Sequence, residues 1–179
     1  MIFKTTQINL KHQPRGLKCI PGNQGFIIAS VEGRCSVVYF DDAVHKKDGF
    51  TFRCHRQPQR TFNPLNLTTS TLGNLPSNYK GSFVYAVNSV EIHPNYGTLA
   101  TCASDGVISF WNVRERHRIK GLPTANFPIV ASNFNANGSL LVYALSYDWS
   151  YGSAGSKPNN PVVIRIHQCT DEEVKEKKK

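Results

Sequence analysis

A chain of 179 residues, 40% hydrophobic and 18% charged, holds enough apolar material for one ordinary core or for half of a large repeat array. No apolar run approaches the roughly 20 residues that span a bilayer, and the opening MIFKTTQINLKHQPR lacks the sustained apolar stretch of a signal peptide. The formal charge of +9 is clustered at residues 11–15, 53–60 and 114–120, which suits an anionic partner as well as it suits a solvated face.

Taken in chain order, short alternating segments with Gly, Asn, Asp and Pro at the joints predict an all-β protein. Residues 16–56 hold four candidate strands: LKCIP, FIIAS, CSVVYF and FTFRCH. Residues 57–83, rich in Asn, Thr, Ser, Pro and Leu but without a period, form an insertion expected to be disordered. Four more candidate strands follow in residues 84–122: VYAVNSVEIH, TLATCAS, VISFWNV and HRIKGL. The third set starts at residue 128 with IVASNFN and LLVYALS. It resumes as VVIRIHQ after a Gly- and Ser-rich stretch, residues 149–161, expected to be a flexible loop. Residues 171–179, DEEVKEKKK, read as a charged, solvated tail. No segment carries a helical period; VRERH is too short and follows a strand.

The sets repeat one phrase. GFIIASVEGRCSVVY (25–39) is echoed by GTLATCASDGVISFWN (97–112) and, more loosely, by SLLVYALSYDW from Ser139. Each of the first two copies is an apolar strand, an acidic-Gly turn (Glu32-Gly33, Asp105-Gly106) and a second alternating strand. This is the sequence form of a β-propeller blade, an architecture used mostly as a binding platform. Three blades do not close a ring, which takes four to eight, and the third set lacks a fourth strand. The expectation is a partial propeller over residues 1–170. The rest of the ring would come from elsewhere, or the chain would associate with itself.

No catalytic motif is present: G-x-S-x-G, H-E-x-x-H and G-x-x-x-x-G-K-[ST] are all absent. Five scattered cysteines without a C-x-x-C pair read as reduced core thiols. Cys54 and His55 are neighbours on a strand and point to opposite faces, which is wrong for a shared metal. The chain is therefore expected to be no enzyme and to need no metal or other cofactor.

The strings VEGRCSVVYF, FTFRCHR, VYAVNSVEIHPNYGTLATCASDGVISFWN and SLLVYALSYDWSYG resemble the C-terminal half of the messenger-RNA export factor family. Members of that family are WD-repeat propellers of about seven blades that bind a nucleoporin. EGR, CHR, YAVN and SDG are also similar to a sister family, the mitotic-checkpoint WD-repeat protein that binds checkpoint kinases; SYDWS followed by Gly fits the export branch better. The similarity covers residues 8–170 apart from the insertion.

In both families the partner offers a short acidic peptide, the GLEBS motif, to arginines on the propeller face. The resemblance assigns that role to Arg34 of EGR and Arg56 of CHR, whose planar forks hold carboxylates bidentately. It also assigns a nucleic-acid groove to Phe52, Trp111, Arg116 and Arg118, by stacking and phosphate contacts, although Phe52 and Trp111 read equally as core. A structural network in WD-repeat blades corresponds to His55, Thr101 or Ser104, Asp105 and Trp111, with Trp-Asn here for the usual Trp-Asp. The implied function is an export adaptor of the nucleus, nuclear pore and cytoplasm. A checkpoint adaptor binding a kinase peptide through the same arginines and a direct RNA-binding protein are the alternatives.

Overall fold

The computed structural model describes residues 1–2, 4–58 and 82–176. Strands β1 (Pro14–Ile20), β2 (Gly25–Ser30), β3 (Arg34–Tyr39) and β4 (Phe50–Arg53) form an antiparallel sheet in that order. A short helix, α1 (Asp42–Asp48), lies between β3 and β4, where no helix was expected. It buries no residue and owes its start to a local cap. Asp41 Oδ1 accepts from the backbone N–H groups of Ala43 (2.8 Å) and Val44 (3.0 Å). Strands β5 (Arg56–Pro58) and β6 (Ser82–Val84) pair where the chain enters and leaves the insertion. Residues 59–81 of that insertion lie outside the described residues.

The second sheet contains β7 (Val87–Ile92), β8 (Leu99–Ala103), β9 (Ile108–Asn112) and β10 (His117–Gly121), ordered β10-β9-β8-β7. The third contains β11 (Ile129–Phe134), β12 (Leu140–Leu145) and β13 (Val163–Gln168). The chain is thus all-β, a partial propeller of three sheets with four, four and three strands among the described residues.

Burial explains the sequence pattern. One apolar cluster, with Ile27, Val37, Val90 and Leu99, fills the space between the first two sheets; a second, with Ile108, Phe110, Ile129 and Leu141, lies between the second and third. The second sheet is covered on both faces, so β8 reads LATCA, a continuous run buried at every position, rather than an alternation. Strand β7 packs against both β1 and β11. Lys18 Nζ of β1 lies 2.6 Å from Glu91 Oε2 of β7, and Ser132 of β11 donates to Ser89 Oγ at 2.9 Å.

The acidic-Gly turns form as expected, with Gly33 at φ +62° and Gly106 at φ +70°. At Gly106 space is also decisive: a Cβ there would stand 2.3 Å from the Ala125 carbonyl oxygen. The loop after β12 contains a short 3-10 turn at Gly152–Gly155. The run read as a solvated tail begins instead with a docked turn, α2 (Asp171–Val174). Val174 is buried, and the Glu173 carboxylate is held by His167 (2.9 Å) and Lys120 (3.4 Å). Thr98 donates to the Val174 carbonyl and the Tyr96 hydroxyl to Asp171 Oδ1 at 3.1 Å, so hydrogen bonds dock the segment along with the buried Val174 and the paired carboxylate.

Candidate functional site

The turns of the three sheets gather at one end of the molecule. Arg34 opens β3 and Arg56 opens β5, and both converge on Glu32 of the first turn. Arg34 Nε lies 3.1 Å from Glu32 Oε2, and Arg56 Nη2 donates to the Glu32 carbonyl at 3.0 Å. His12 Nε2 stands 3.9 Å from the same carboxylate. The Nε atoms of both arginines are buried without a directed hydrogen bond. Arg34 remains 33% exposed, and Arg53, its register partner on β4, is exposed. Three guanidinium groups against one carboxylate leave this corner cationic. The two expected arginines are brought together, and the group that joins them, Glu32, escaped the sequence reading although it heads the EGR phrase.

The segment carrying Arg56 is fixed by a buried polar chain. Trp111 Nε1 donates to Thr101 Oγ1 (2.9 Å); Thr101 Oγ1 lies 2.7 Å from His55 Nε2; His55 Nδ1 lies 3.0 and 3.1 Å from the Asp105 carboxylate oxygens. Asp105 Oδ1 also accepts from the Val107 N–H at 3.0 Å. With His55 neutral, one donor order satisfies the chain: Trp111 to Thr101, the Thr101 hydroxyl to Nε2, and Nδ1–H to Asp105, with the Ser109 carbonyl 3.4 Å from the same hydroxyl. Four of the five expected network residues are therefore joined, with Thr101 as the hydroxyl. Ser104 stands outside: it accepts from Asn88 Nδ2 at 3.1 Å and donates to Asp148 Oδ2. The Tyr85 phenol beside this network is pushed up in pKa by burial, and further by the Asp105 charge.

Phe52, Trp111 and Arg116 meet in a shallow groove with Phe50, Asn112 and Val113. Phe52 and Trp111 stand 5.1 Å apart, and the Arg116 guanidinium lies 4.7 Å over the Phe50 ring. Both Phe52 and Trp111 are partly buried, packed on the core and lining the groove at once. Arg118 is not in it: its guanidinium folds over Gly121, where a Cβ would lie 1.6 Å from Nη2.

All five cysteines are free. Cys35 and Cys54 are buried with their sulfurs 3.7 Å apart, and the hydrogen bond from Cys54, reinforced by burial, pushes the Cys35 thiol up. Among the described residues no cluster of His, Cys, Asp or Glu could hold a metal ion.

The chain is 38% identical over 173 residues to the mRNA export factor GLE2 of Chaetomium thermophilum, matching 97% of this chain and 43% of that protein. It is 38% identical over 170 residues to the WD40 repeat protein poxJ of Penicillium oxalicum, matching 95% of the chain and 44% of the relative. It is 36% identical over 178 residues to the Poly(A)+ RNA export protein of Schizosaccharomyces pombe, matching 99% and 45%. The chain thus spans less than half the length of these relatives. No protein-family model matches it.

Proposed function

From the homology of this chain to the WD-repeat messenger-RNA export factors, we propose that it is a non-enzymatic adaptor that docks an acidic nucleoporin peptide of the GLEBS type. Its place of work is the nucleus and the nuclear pore, with passage to the cytoplasm. The observation that carries the reading is the convergence of Arg34 and Arg56 on Glu32 at the partly exposed turn of the first sheet. Glu32 holds one guanidinium by its carboxylate and the other by its carbonyl. The arginines are thereby preorganised, which lowers the ordering cost when a peptide carboxylate binds. Their remaining N–H groups meet that carboxylate in forked geometry.

The test is isothermal titration of a GLEBS-type peptide into the parent and into Arg34→Glu combined with Arg56→Glu. Truncating one partner of a desolvated charge pair costs about 2–5 kcal/mol, so reversal weakens binding by about 30-fold or more. Circular dichroism should show the same strand content in both. Unchanged affinity would sink the assignment.

A further inference from the structure

The five cysteines are scattered in sequence, but two of them meet in space. Cys35 and Cys54 stand with their sulfurs 3.7 Å apart, at 0% and 4% exposure. Their strands are paired: Arg34 lies opposite Arg53 and Cys35 opposite Phe52, so Cys54 is the diagonal neighbour of Cys35. The backbone around the pair is held. The Cys54 N–H donates to the Gly33 carbonyl at 3.0 Å, and a Cβ on Gly33 would stand 2.8 Å from the Cys54 carbonyl oxygen. Beyond Cys54 the chain turns left-handed at His55 (φ +48°), whose ring is fixed by Asp105 and Thr101. With the backbone pinned, the sulfurs close to a bond of about 2.0 Å by turning about their own Cα–Cβ bonds.

The two sulfurs are not equivalent. The Cys35 thiol is pushed up by its hydrogen bond with Cys54 and further by burial, so it keeps its proton and donates to Cys54. Cys54 accepts that hydrogen and keeps the residual exposure, so it is the sulfur that a water-sized oxidant meets first. Arg34 directly precedes Cys35, and Arg56 follows Cys54 by two residues, so the pair lies beneath the corner where both arginines reach Glu32.

We propose that Cys54 and Cys35 are a peroxide-sensitive pair that closes reversibly to a disulfide and staples the end of β4 to β3. The oxidant is hydrogen peroxide. The Cys54 sulfur attacks one peroxide oxygen: the S–O bond forms, the O–O bond breaks, and the departing hydroxide takes the Cys54 proton as water. The Cys35 sulfur then attacks the Cys54 sulfur: the S–S bond forms, the S–O bond breaks, and hydroxide leaves with the Cys35 proton as a second water. Two thiols are oxidised and one peroxide is reduced to two waters. Two molecules of a small thiol such as glutathione reopen the bond by exchange and leave as their own disulfide, which makes the staple transient in a reducing compartment. The inference stands apart from the acidic-peptide reading, because no peptide enters its test.

The experiment uses the full chain with Cys19→Ser, which removes an exposed thiol. Folded protein is treated with hydrogen peroxide, then unfolded, alkylated and digested with trypsin. Cleavage after Arg34 and after Arg53 puts the two cysteines on separate peptides. The oxidised chain should be lighter by two hydrogen atoms, with those two peptides linked, and reduced glutathione should separate them. The bond closes a loop between positions 19 apart, so the oxidised chain should melt about 5–12 °C higher than the reduced one. Order is tested with single variants checked for strand content by circular dichroism. Cys35→Ala should leave a sulfenic acid on Cys54 that dimedone captures, and Cys54→Ala should leave none on Cys35. Should either variant lose strand content, the linked peptides and the melt of the Cys19→Ser chain decide alone. A linkage that forms only after unfolding, an oxidised chain that melts no higher, or dimedone captured on Cys35 in a folded Cys54→Ala chain overturns the proposal.

Discussion

Replacing Thr101 by valine tests the buried polar chain with almost no change of shape. The hydroxyl connects Trp111 Nε1 at 2.9 Å to His55 Nε2 at 2.7 Å. Valine fills the same volume and offers neither a donor nor an acceptor. His55, whose side chain is 1% exposed, then keeps a ring nitrogen with no partner and no water. An orphaned buried polar atom costs about 1–3 kcal/mol. Trp111 is only partly buried, so its N–H sits at the low end of that range and adds about 1 kcal/mol. The sum is about 2–4 kcal/mol, or a fall in melting temperature of about 4–16 °C for a chain of this size. Thr101→Ser keeps the hydroxyl and loses one methyl, a change of about 1 kcal/mol. Guanidinium unfolding followed by fluorescence reads the difference directly. If valine and serine cost the same, or valine costs less than about 0.5 kcal/mol, the hydroxyl is not the link that holds His55, and Arg56 is positioned by other contacts.

Trp111→Ala should destabilise the fold by about 2–3 kcal/mol, below the range for a fully buried tryptophan because the indole also lines the groove; a parent-like melt with lost RNA affinity would make it a stacking platform instead. Native alkylation followed by mass mapping should label exposed Cys19 and spare Cys102, whose thiol burial pushes up to about 12, and Cys35, whose thiol is raised by its bond to Cys54. Burial lowers the His93 pKa despite its bond to the Gly138 carbonyl at 3.0 Å, so the unfolded chain binds the proton first. Stability should be full above a pH of about 6.5 and fall as the pH drops below it, with a flatter slope in His93→Gln. The outer faces of the end sheets expose Leu17 (63%), Ile164 (62%) and Ile166 (69%), and among the described residues β13 pairs only with β12. Light scattering should therefore give a mass above 20.0 kDa, reduced by Ile164→Lys with Ile166→Lys; a soluble parent monomer with a cooperative melt would refute this.

The sheets were legible where burial is one-sided or the turn names itself. FIIASVEGRCSVVY turns at Glu32-Gly33, and it folds as β2 and β3 with Gly25 opposite Tyr39. Helix α1 was not legible because its evidence is one capping aspartate over seven residues, none of them buried, too short for a period to emerge. For α2 a signal did exist: Glu173 reaches back to the Thr170 N–H at 3.1 Å, half of a capping box, and the charged composition concealed it.

The candidate site divides on a different line. A left-handed residue redirects the chain and the side chain that follows it, and sequence marks the spot only when the residue is glycine. Gly33 and Gly106 were readable for that reason. Among the described residues four that are not glycine take positive φ: Asn23, His55 (+48°), Arg116 (+55°) and Trp149 (+64°). Three of these four stand at the polar chain, the aromatic groove and the exposed turn after β12. Each conformation costs about 1–3 kcal/mol and persists through contacts distant in sequence: Asp105 on His55, Phe50 beneath Arg116, Arg15 and Ser104 on Asp148. This is also why Arg116 and Arg118, two residues apart and indistinguishable as charges, separate. The first leaves a left-handed turn over an aromatic ring, and the second lies in β10 opposite Trp111, where the register shifts, and folds back on Gly121. The residue types were visible in the sequence; their directions were fixed only when the three sheets met.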